Sequence, residues 1–545
     1  MTSTNPVITI YQKEFSGHTI LDFRDILLDE TLISGTIHVP ECCFSSVSTL
    51  NQHLPGKQVY ELTLRLAEHF PVVLTNKLPQ DTDSCYSLSV KEEASELHGL
   101  QTDCYIAARY KNYLLQNQLF DAAISSILAQ AEALGLLDEI LPFLEKMLAG
   151  DSLYQYYLQG SQPFLIYTGD DTCYSILSVF ANELGNALRR QHYLVEYFDL
   201  SKENFTDSYR LMNRQFQAII GVQTYMFSVR LNNGCLLHDS IGGPKYNFVL
   251  DHPVWFHDHL QETPKDYTIF TLDYNYVSFA KQYYHIDARF FPPGGITTSN
   301  SLSERSYAVT FIGTYLDNSS DVFHALQELD RPQRFLVNRL WLIMRKQPHL
   351  PAETALSMAL AHYGKELPSD EFLQLLRELR TFILFISYRY RTKLLESLLA
   401  AGISIHIWGT SWEFCPLRRY SGFIWHNENL STEQCLQIWQ KSRIALNAMS
   451  WHKNAITERI LNSMLQGAAV ATERNPYMES RFLDGADIIY YDLAHLEELP
   501  RRISALLKEP DILSSIAKNG FQKALTDHTW NARAKELLEI AKHTI

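Results

Sequence analysis

Several features that direct a protein to nucleic acid or into membranes are missing from this sequence of 545 residues. Basic residues are too few for a broad nucleic-acid surface, because Lys and Arg number 47 against 61 Asp and Glu, a net charge of −14. No apolar run reaches the roughly 18 residues of a membrane span, and the most apolar stretch, FILFISY, is short and flanked by Arg. We therefore expect no nucleic-acid partner and no integral membrane segment.

Cysteine motifs, targeting signals and metal signatures are also absent. The eight cysteines are scattered, with Cys42 and Cys43 the adjacent pair and no CxxC, which is typical of reduced, structural thiols. The stretch MTSTNPVITIYQKEFSG lacks a basic segment followed by an apolar one, so we expect a cytoplasmic protein. No HExxH motif, paired-cysteine zinc spacing, Walker loop or GxGxxG fingerprint occurs, and we expect neither a metal nor a cofactor.

What is present suffices for several folded domains. Hydrophobic residues make up 46% of the chain and charged residues 20%, and the length favours two or three domains. Residues 1–150 contain strand-like runs and then amphipathic helices, and residues 149–163 are predicted to be a linker. We place one domain at 162–300 and another at 301–525, followed by a terminal helix at 526–545.

Short apolar strands alternate with helices in both of the longer domains. The first contains PFLIYT, YLVEYFDL, FQAIIGV, NFVLDHP and YTIFTLD, and the second contains YAVTFIGTY, SIHIWGTSW, RIALNAM, AAVAT and DIIYYDL, with a helical insertion from 320 to 400. This alternation predicts parallel sheets covered by helices on both faces. The stretch FFPPGGITTSN predicts a hinge between them. The predicted fold is α/β, with two tandem Rossmann-like domains and an N-terminal accessory region of strands and helices.

Polar residues follow several strands, at the edge where open α/β sheets bind their ligands. They are Asp170 with Asp171, Asp199, Asp251 with His252, and Asp273. Each one alone is more often a helix cap than a ligand contact, but the recurrence favours at least one that faces a cleft. Asp251 and His252 are candidate catalytic bases, and Pro253 holds His252 in an extended conformation.

The stretch ITERILNSMLQGAAVATERNP, residues 456–476, predicts a helix and then a strand. Its apolar face comprises Ile460, Leu461, Met464 and Leu465, and Gly467 is the expected left-handed cap. The helix begins near Thr457, so its first amides can bind a diphosphate together with Arg459. Glu458 and Asn462 lie one turn apart on another face, where they can contact sugar or ribose hydroxyls. The alternative is a solvated helix start, in which Glu458 only complements the helix dipole.

Loops after other strands supply further candidates for ligand binding. These are Gly313, Thr314, Tyr315, Trp408, Gly409, Asn447 and His452. A glycine after a strand allows the backbone to approach a phosphate closely, and an aromatic ring there can stack on a base. Each residue also has a structural interpretation, as part of a tight turn, a core tryptophan or a helix cap.

The run ITERILNSMLQGAAVATERNPYMESRFLDGADIIYYD, together with HTWNARAKELLEI, resembles the C-terminal domain of CgeB-like, spore-maturation-type glycosyltransferases. The resemblance covers residues 305–545 and extends more weakly through 162–300. It implies the GT-B architecture of two facing Rossmann-like domains, with the nucleotide-sugar in the C-terminal one and the acceptor in the other. It also implies a reaction that needs no bound metal.

The resemblance bears on the carboxylates of the donor site. In related retaining enzymes two Glu, eight residues apart, line that site, and the second precedes a Gly by five residues. Counted back from Gly467, these positions hold Asn462 and Asn454, which can hydrogen-bond hydroxyls but carry no charge. The retaining mechanism therefore does not transfer directly, and Glu458 is the predicted replacement carboxylate.

A second resemblance lies within the first 100 residues. The run IHVPECCFSSVSTLNQHLPGKQVYELTLRLAEHFPVVLTNKLP is similar to the tail of family 2 glycosyltransferases of the GT-A fold. The nucleotide-binding half of that family, with its Asp-x-Asp motif, does not accompany it. The resemblance implies a non-catalytic region that serves acceptor docking or homo-oligomerisation.

Together these features predict a bacterial, cytoplasmic, metal-independent glycosyltransferase of the hexosyltransferase type. The enzyme would transfer a sugar from a nucleotide-sugar to a protein or glycan acceptor of the cell surface, flagellum or spore coat. A UDP-sugar is the expected donor. The substrates would meet between residues 162–300 and 301–525, and the terminal helix would cross back to the first of these domains. Two alternatives stay open, a GT-B-fold sugar-nucleotide epimerase and a catalytically inactive glycan- or nucleotide-binding scaffold.

Overall fold

The computed structural model describes residues 6–40, 43–44, 47, 50–51, 53–79, 85–89, 95–159, 162–169, 176–191, 193–298 and 304–543. Asp170, Asp171 and Cys42 lie outside the described residues. No helix within these ranges is both long and apolar enough to cross a membrane.

The N-terminal domain, residues 6–159, combines a mixed sheet with a helical layer. Its strands are β1 (Ile8–Tyr11), β2 (His18–Leu21), β3 (Thr36–Pro40), β4 (Val72–Thr75) and β5 (Cys85–Ser89), in the order β2-β4-β1-β3-β5. Its helices are α1 (Phe23–Leu28), α2 (Gln58–Ala67), α3 (Glu96–Arg109), α4 (Lys111–Gln116), α5 (Phe120–Ala133), α6 (Leu137–Ala149) and α7 (Ser152–Gln159). The similarity of this region to a family 2 glycosyltransferase tail stays a prediction.

Helix α7 corrects the prediction of a linker at 149–163. Tyr157 is buried in the core of the N-terminal domain, and the ring of Tyr156 stacks on His53 with centroids 4.1 Å apart. The segment is polar enough to resemble a linker, but its tyrosines bury enough apolar surface to dock a short helix.

The middle domain, from residue 162 to 298, has a six-stranded sheet in which every pairing is parallel. Its elements are β6 (Phe164–Thr168), α8 (Ile176–Arg190), β7 (Val195–Asp199), β8 (Ala218–Val222), β9 (Lys245–Phe248), α9 (His257–Leu260), β10 (Tyr267–Thr271), α10 (Tyr274–Tyr283) and β11 (Asp287–Phe290). The strand order is β7-β6-β8-β9-β10-β11, so the order reverses between β6 and β8. A reversal of this kind opens a crevice at the carboxyl ends of the two strands.

The C-terminal domain, residues 304–527, has a second parallel sheet of six strands and a helical insertion. The sheet order is β14-β13-β12-β15-β16-β17, with its reversal between β12 and β15. The strands are β12 (Tyr307–Ile312), β13 (Ile405–Trp408), β14 (Phe423–His426), β15 (Ser442–Leu446), β16 (Ala469–Glu473) and β17 (Ile489–Tyr491). The insertion comprises α11 (Ser319–Glu328), α12 (Arg331–Lys346), α13 (Ala352–His362), α14 (Ser369–Glu378) and α15 (Arg380–Ala400), and the later helices are α16 (Thr432–Gln440), α17 (Glu458–Leu465), α18 (Pro476–Arg481), α19 (Leu499–Lys508), α20 (Pro510–Asp527) and α21 (Trp530–His543).

Helix α21 returns to the middle domain. The ring of Trp530 lies 5.3 Å from that of Phe180 on α8, and the Arg190 side chain donates to Asn531 Oδ1 at 2.8 Å. The two parallel six-stranded sheets with their helices confirm the predicted α/β fold of two tandem Rossmann-like domains, the arrangement of GT-B proteins.

The stretch ITERILNSMLQGAAVATERNP, residues 456–476, folds as its periodicity predicts. Helix α17 begins after Thr457, its apolar face is buried, and Gly467 follows it with φ +76°. The next residues form β16, which pairs with β15 on one side and with the edge strand β17 on the other. Local apolar spacing and a left-handed glycine were therefore sufficient to predict this unit.

One group of contacts, which we call the hinge region, joins the two Rossmann-like domains behind their cleft. It comprises Asp273, residues 294–298, Lys453, Asn454, Asn462, Gln466 and His528. Asn462 Oδ1 accepts from the Ile296 amide at 2.8 Å, and Gln466 Nε2 donates to the Ile296 carbonyl at 2.9 Å. Asn462 on α17 and Gln466 directly after it thus bind the segment that connects the domains.

Asp273 supplies the second joint of the hinge region. Its Oδ1 accepts from the Asn275 amide at 2.8 Å and so caps α10. Its Oδ2 crosses to the C-terminal domain and accepts from the amides of Lys453 at 2.7 Å and Asn454 at 3.1 Å. This strand-end carboxylate is therefore occupied by backbone donors of both domains.

Candidate functional site

A cleft of about 570 Å³ lies between the middle and C-terminal domains. Its lining residues follow strands of both sheets, including those at the two reversal points, or lie on helices beside them. From the middle domain they are Ile176, Leu177, Phe180, Gln223, Leu250, Asp251 and Leu272; from the C-terminal domain they are Ile312, Gly313, Thr314, Leu316, Arg391, Gly409, Asn429, Leu430, Thr432, Cys435, Trp439, His452, Thr457, Glu458, Arg459 and Asn462. Such an interdomain crevice is where open α/β sheets bind ligands.

The first turn of α17 forms part of the C-terminal wall. Thr457, Glu458 and Arg459 all line the cleft, and no side chain caps this end of the helix. The Thr457 hydroxyl is buried and has no hydrogen-bond partner within the part of the chain that the structure describes. Uncapped amides, the positive end of the dipole and a free hydroxyl together make this turn suited to an anion.

Arg391 is a cation of the same wall that our sequence reasoning missed. It lies on α15 and is only 8% exposed. Its Nη1 donates to the Thr314 carbonyl at 2.5 Å, and its Nε has no hydrogen-bond partner among the described residues. Burial lowers the pKa of Arg391 to about 10, and the positive charge of Arg459 adds to this shift. The signal was present in the sequence, because Arg391 interrupts the buried apolar face that runs from Phe382 to Leu398.

The loops that follow the neighbouring strands β12 and β13 approach each other closely at the cleft. Gly409 adopts φ +123°, and a Cβ there would lie 2.4 Å from the carbonyl oxygen of Gly313. Gly409 therefore permits the close approach of the two loops, while Gly313 and Thr314 reach the cleft. Tyr315, the next residue, lies outside the lining and packs against Trp412 with ring centroids 5.3 Å apart.

Trp408 and Asn447 do not reach the cleft lining either. The ring of Trp408 stacks on His426 at 4.1 Å, so the face predicted for a base already has a partner. Asn447 is buried, and its Nδ2 donates to Thr472 Oγ1 at 3.0 Å. Both residues thus contact the ends of neighbouring strands of the C-terminal sheet, Trp408 at β14 and Asn447 at β16.

The two asparagines at the expected carboxylate positions belong to the hinge region. Asn454 Oδ1 accepts from the Tyr477 amide at 2.9 Å, and Asn454 is not part of the cleft lining. Asn462 touches the cleft but is only 3% exposed, and its Oδ1 binds the connecting segment. Glu458 is therefore the carboxylate that α17 presents to the cleft.

His452 is a neutral polar group of the C-terminal wall. Burial lowers its pKa to about 3, and the charges of Lys453, His252 and Arg459 contribute to the same shift. Its Nδ1 has no hydrogen-bond partner in the ranges that the structure describes. A neutral imidazole with an unused nitrogen can bind a hydroxyl or a phosphate oxygen without adding charge.

The middle-domain wall carries Asp251 among the apolar side chains of Leu250, Leu272 and Phe180. His252, the neighbouring candidate base, is not part of the lining. Its Nδ1 accepts from the Val254 amide at 3.2 Å, and its Nε2 lies 3.2 Å from Glu353 Oε2 on α13. With both ring nitrogens engaged, His252 links the middle domain to the helical insertion.

Tyr388 on α15 is influenced by charged groups of both walls. Burial raises the pKa of Tyr388; Arg380 and Arg391 oppose the rise, and Asp251 adds to it. Charges from both walls thus act on one side chain. In the described part of the chain, no group of three or more His, Cys, Asp or Glu is arranged to hold a metal ion.

The comparisons with known proteins concern mainly the C-terminal domain. Residues 389–539 match the family model described as "Glycosyl transferase-like", a range that includes Arg391, Gly409 and the first turn of α17. None of the curated proteins searched matches the sequence.

Three solved structures match over 70% of this chain. Sucrose-phosphate synthase from Thermosynechococcus elongatus is 9% identical with a TM-score of 0.43, over 70% of this chain and 98% of that one. An alpha-glucosyltransferase in complex with UDP and a 13-mer DNA containing an HMU base is 13% identical with a TM-score of 0.42, over 70% and 100%. HepE of Anabaena in complex with UDP-glucose is 9% identical with a TM-score of 0.40, over 70% and 100%.

Proposed function

We propose that the protein is a glycosyltransferase that takes a sugar from a nucleoside diphosphate and attaches it to an acceptor hydroxyl in the interdomain cleft. One observation carries the proposal: a wall with two guanidinium groups and an uncapped helix start faces a wall with a carboxylate. The match of residues 389–539 to a glycosyltransferase-like family model supports the same reaction class.

The C-terminal wall suits the diphosphate. Arg391 and Arg459 place two like charges close together, and the pKa of Arg391 already responds to Arg459. A diphosphate would neutralise both and could accept from the amides of α17 and the Thr457 hydroxyl. As the sugar leaves, negative charge develops on this diphosphate, so the same groups would stabilise the transition state.

The remaining polar groups suit the sugar and the acceptor. Glu458 and His452 would bind hydroxyls of the donor, while Asp251 would take the proton from the acceptor hydroxyl. The acceptor oxygen would form its bond to the anomeric carbon as the bond to the diphosphate breaks. Such a single displacement inverts the anomeric configuration.

The finer assignments rest on the sequence. The CgeB-like resemblance favours an acceptor on a cell surface, a flagellum or a spore coat, and UDP is the first nucleotide to examine. A cytoplasmic location and a metal-independent reaction remain predictions of the same kind.

The proposal is tested first by nucleotide binding and then by sugar transfer. Calorimetric titration with UDP, GDP and ADP should reveal one preferred nucleotide, and Arg459→Gln should weaken its binding about tenfold. The preferred nucleotide-sugars are then mixed with hydroxyl acceptors, and release of the diphosphate and the anomeric configuration of the product are measured. Absence of binding by every nucleotide contradicts the proposal, and a retained configuration contradicts the role of Asp251.

An inactive binding protein is the second candidate, because Asn454 and Asn462 replace the carboxylate pair and serve the hinge region. Tight nucleotide binding with no turnover in the same assay would favour it. Conversion of the nucleotide-sugar without any acceptor would instead favour an epimerase.

A further inference from the structure

Gln223 has a strained backbone at the reversal point of the middle-domain sheet. It follows β8 directly and adopts φ +52°, the left-handed conformation that residues other than glycine rarely enter. Its amide donates to the Phe248 carbonyl at 2.8 Å, which fixes the turn against the end of β9. Strain of this kind persists where the surrounding structure over-determines it, and it often occurs at functional sites.

The side chain of Gln223 makes three hydrogen bonds, all to residues 250–251. Its Oε1 accepts from the amides of Leu250 at 3.1 Å and Asp251 at 3.3 Å. Its Nε2 donates to Asp251 Oδ2 at 2.8 Å. Gln223 therefore holds both the backbone and the carboxylate of Asp251, and both residues line the cleft.

The loop that carries Gln223 has a separate anchor. The Thr224 amide donates to Asn247 Oδ1 at 3.3 Å, and Asn247 Nδ2 donates to the Thr224 carbonyl and to Tyr267 Oη, each at 3.1 Å. These bonds lie beneath the loop, away from Asp251. The fold of the loop consequently does not depend on the hydrogen bonds that the Gln223 side chain makes.

We propose that Gln223 is the positioning residue for Asp251: it holds Oδ2 and thereby presents Oδ1 to the acceptor hydroxyl. This inference rests on the proposed function, in which Asp251 removes the acceptor proton. Among the described residues, the Gln223 amide is the hydrogen-bond donor that reaches the Asp251 carboxylate. Without it, the carboxylate can rotate about its side-chain bonds and leave the reactive geometry.

The inference separates turnover from donor binding. The donor would be held by Arg391, Arg459 and α17 on the opposite wall, none of which contacts Gln223. A small displacement of a base reduces turnover about 100-fold even when binding is intact. Loss of positioning should therefore lower kcat and leave the dissociation constant of the donor unchanged.

Gln223→Glu is the most informative variant. Glutamate has the same shape and can still accept from the amides of Leu250 and Asp251, but it replaces the donor to Asp251 Oδ2 with an acceptor. We expect kcat to fall about 100-fold, the donor dissociation constant to stay within about twofold, and the melting temperature to stay unchanged. Gln261→Glu makes the same substitution on the same domain outside the cleft lining and should leave all three quantities unchanged.

Gln223→Met and Gln223→Asn complete the test. Methionine removes all three bonds without adding charge and should lower kcat as Glu does; Asn tolerates the left-handed conformation and keeps an amide, so it should recover part of the lost rate. Kcat within threefold of the wild type in Gln223→Glu overturns the inference, as does a parallel loss of donor affinity. Unfolding of both Gln223→Glu and Gln223→Met would assign the residue a purely structural role and also overturn it.

The proposed function fails in a different way. A wild-type protein that transfers no sugar overturns the proposed function and this inference together. A wild-type protein that transfers sugar, and whose Asp251→Asn variant is inactive while Gln223→Glu is fully active, overturns only the role of Gln223.

Discussion

The cleft and the hinge region use the same stretches of chain, because both contain ends of middle-domain strands and residues between 452 and 466. Asp251 follows β9 and lines the cleft, whereas Asp273 follows the adjacent strand β10 and binds amides of both domains. On α17, the first turn faces the cleft, whereas Asn462 and Gln466 hold the connecting segment. Two aspartates on adjacent strands, and polar residues on successive turns of α17, thus have different partners.

The partners of the buried polar atoms differ between the two regions. The hinge carboxylate and amides have partners within the protein, and the one exception in the hinge region, Lys453 Nζ, lacks a hydrogen bond among the described residues but lies 3.6 Å from the Glu473 carboxylate. In the cleft, Thr457 Oγ1, Arg391 Nε and His452 Nδ1 are buried with no hydrogen-bond partner among the described residues. A buried polar atom left unpaired destabilises a fold, and the proposed ligand would supply bonds to these three atoms. The following variants would sharpen or break this distinction.

Arg391→Met should have the largest effect, on ligand binding. Removal of a buried guanidinium that contacts a diphosphate should weaken nucleotide binding about 100-fold, nearly 3 kcal/mol, while folding is preserved. Calorimetric titration of the preferred nucleotide measures this loss. Arg389→Met, an exposed site two residues away on α15, is the matched control. Equal affinities for both variants would remove Arg391 from the ligand site.

Asp273→Asn should act in the opposite way, on stability. An amide at this position loses the bonds from Lys453 and Asn454, and its NH₂ group would face their N–H donors, so the free energy of unfolding should fall by about 2–3 kcal/mol. Nucleotide affinity should change less than twofold. Asp258→Asn disrupts an exposed ion pair with Arg377 and should cost less than about 0.5 kcal/mol in denaturant titrations. A large loss of nucleotide affinity in Asp273→Asn would place this residue in the ligand site.

Acid should destabilise the protein through one histidine of each region. Burial lowers the pKa of His452 and of His528 to about 3, with nearby positive charges contributing. The unfolded chain binds these protons near pH 6.5, so stability is complete above that pH and declines as the pH falls toward 3. Between pH 7 and pH 5 each histidine should lower the free energy of unfolding by about 2 kcal/mol.

His452→Gln and His528→Gln test this acid sensitivity. Each should flatten the pH dependence of stability, measured by denaturant titration at pH 7 and pH 5. The two losses should add when the variants are combined, because the residues lie in separate regions. An unchanged pH dependence in either variant would show that the histidine is not held neutral by burial.

Glu458→Gln and Asn462→Leu should give the smallest effects, of about 1 kcal/mol each. Glu458→Gln should weaken nucleotide-sugar binding five- to tenfold, with little change in melting temperature. Asn462→Leu removes the acceptor for the Ile296 amide and should lower the melting temperature by a few degrees, with nucleotide affinity preserved. The reverse pattern would exchange the roles of the two residues.

Much of the fold was predictable because its signals are local. Apolar spacing gave α17 and its buried face, Gly467 gave the left-handed cap, and the alternation of strands and helices indicated two parallel sheets. The linker at 149–163 was predicted wrongly, because its polar residues conceal tyrosines that pack against distant parts of the N-terminal domain.

The site was only partly predictable, because a polar residue does not reveal its partner. Gly313, Gly409 and Glu458 line the cleft, whereas Trp408 and Asn447 pack within the C-terminal domain. Arg391 lies on a helix of the insertion, far along the chain from any motif. Gln223 was not predicted, because only its left-handed backbone angle and its three hydrogen bonds to residues 250–251 single it out.

By itself the sequence determined the two sheets and the helix from Glu458 to Leu465, because both follow from neighbours along the chain. It also determined the net negative charge and the lack of long apolar runs, which are properties of composition and order alone. The tertiary structure decided which of the polar residues are satisfied by the protein and which are left open to a ligand. That decision depends on contacts across more than 100 residues, such as Asn462 with Ile296 and Asp273 with Lys453. Such contacts exist only once both domains have packed against each other, and for this reason the same residue types serve the hinge region in one place and the cleft in another.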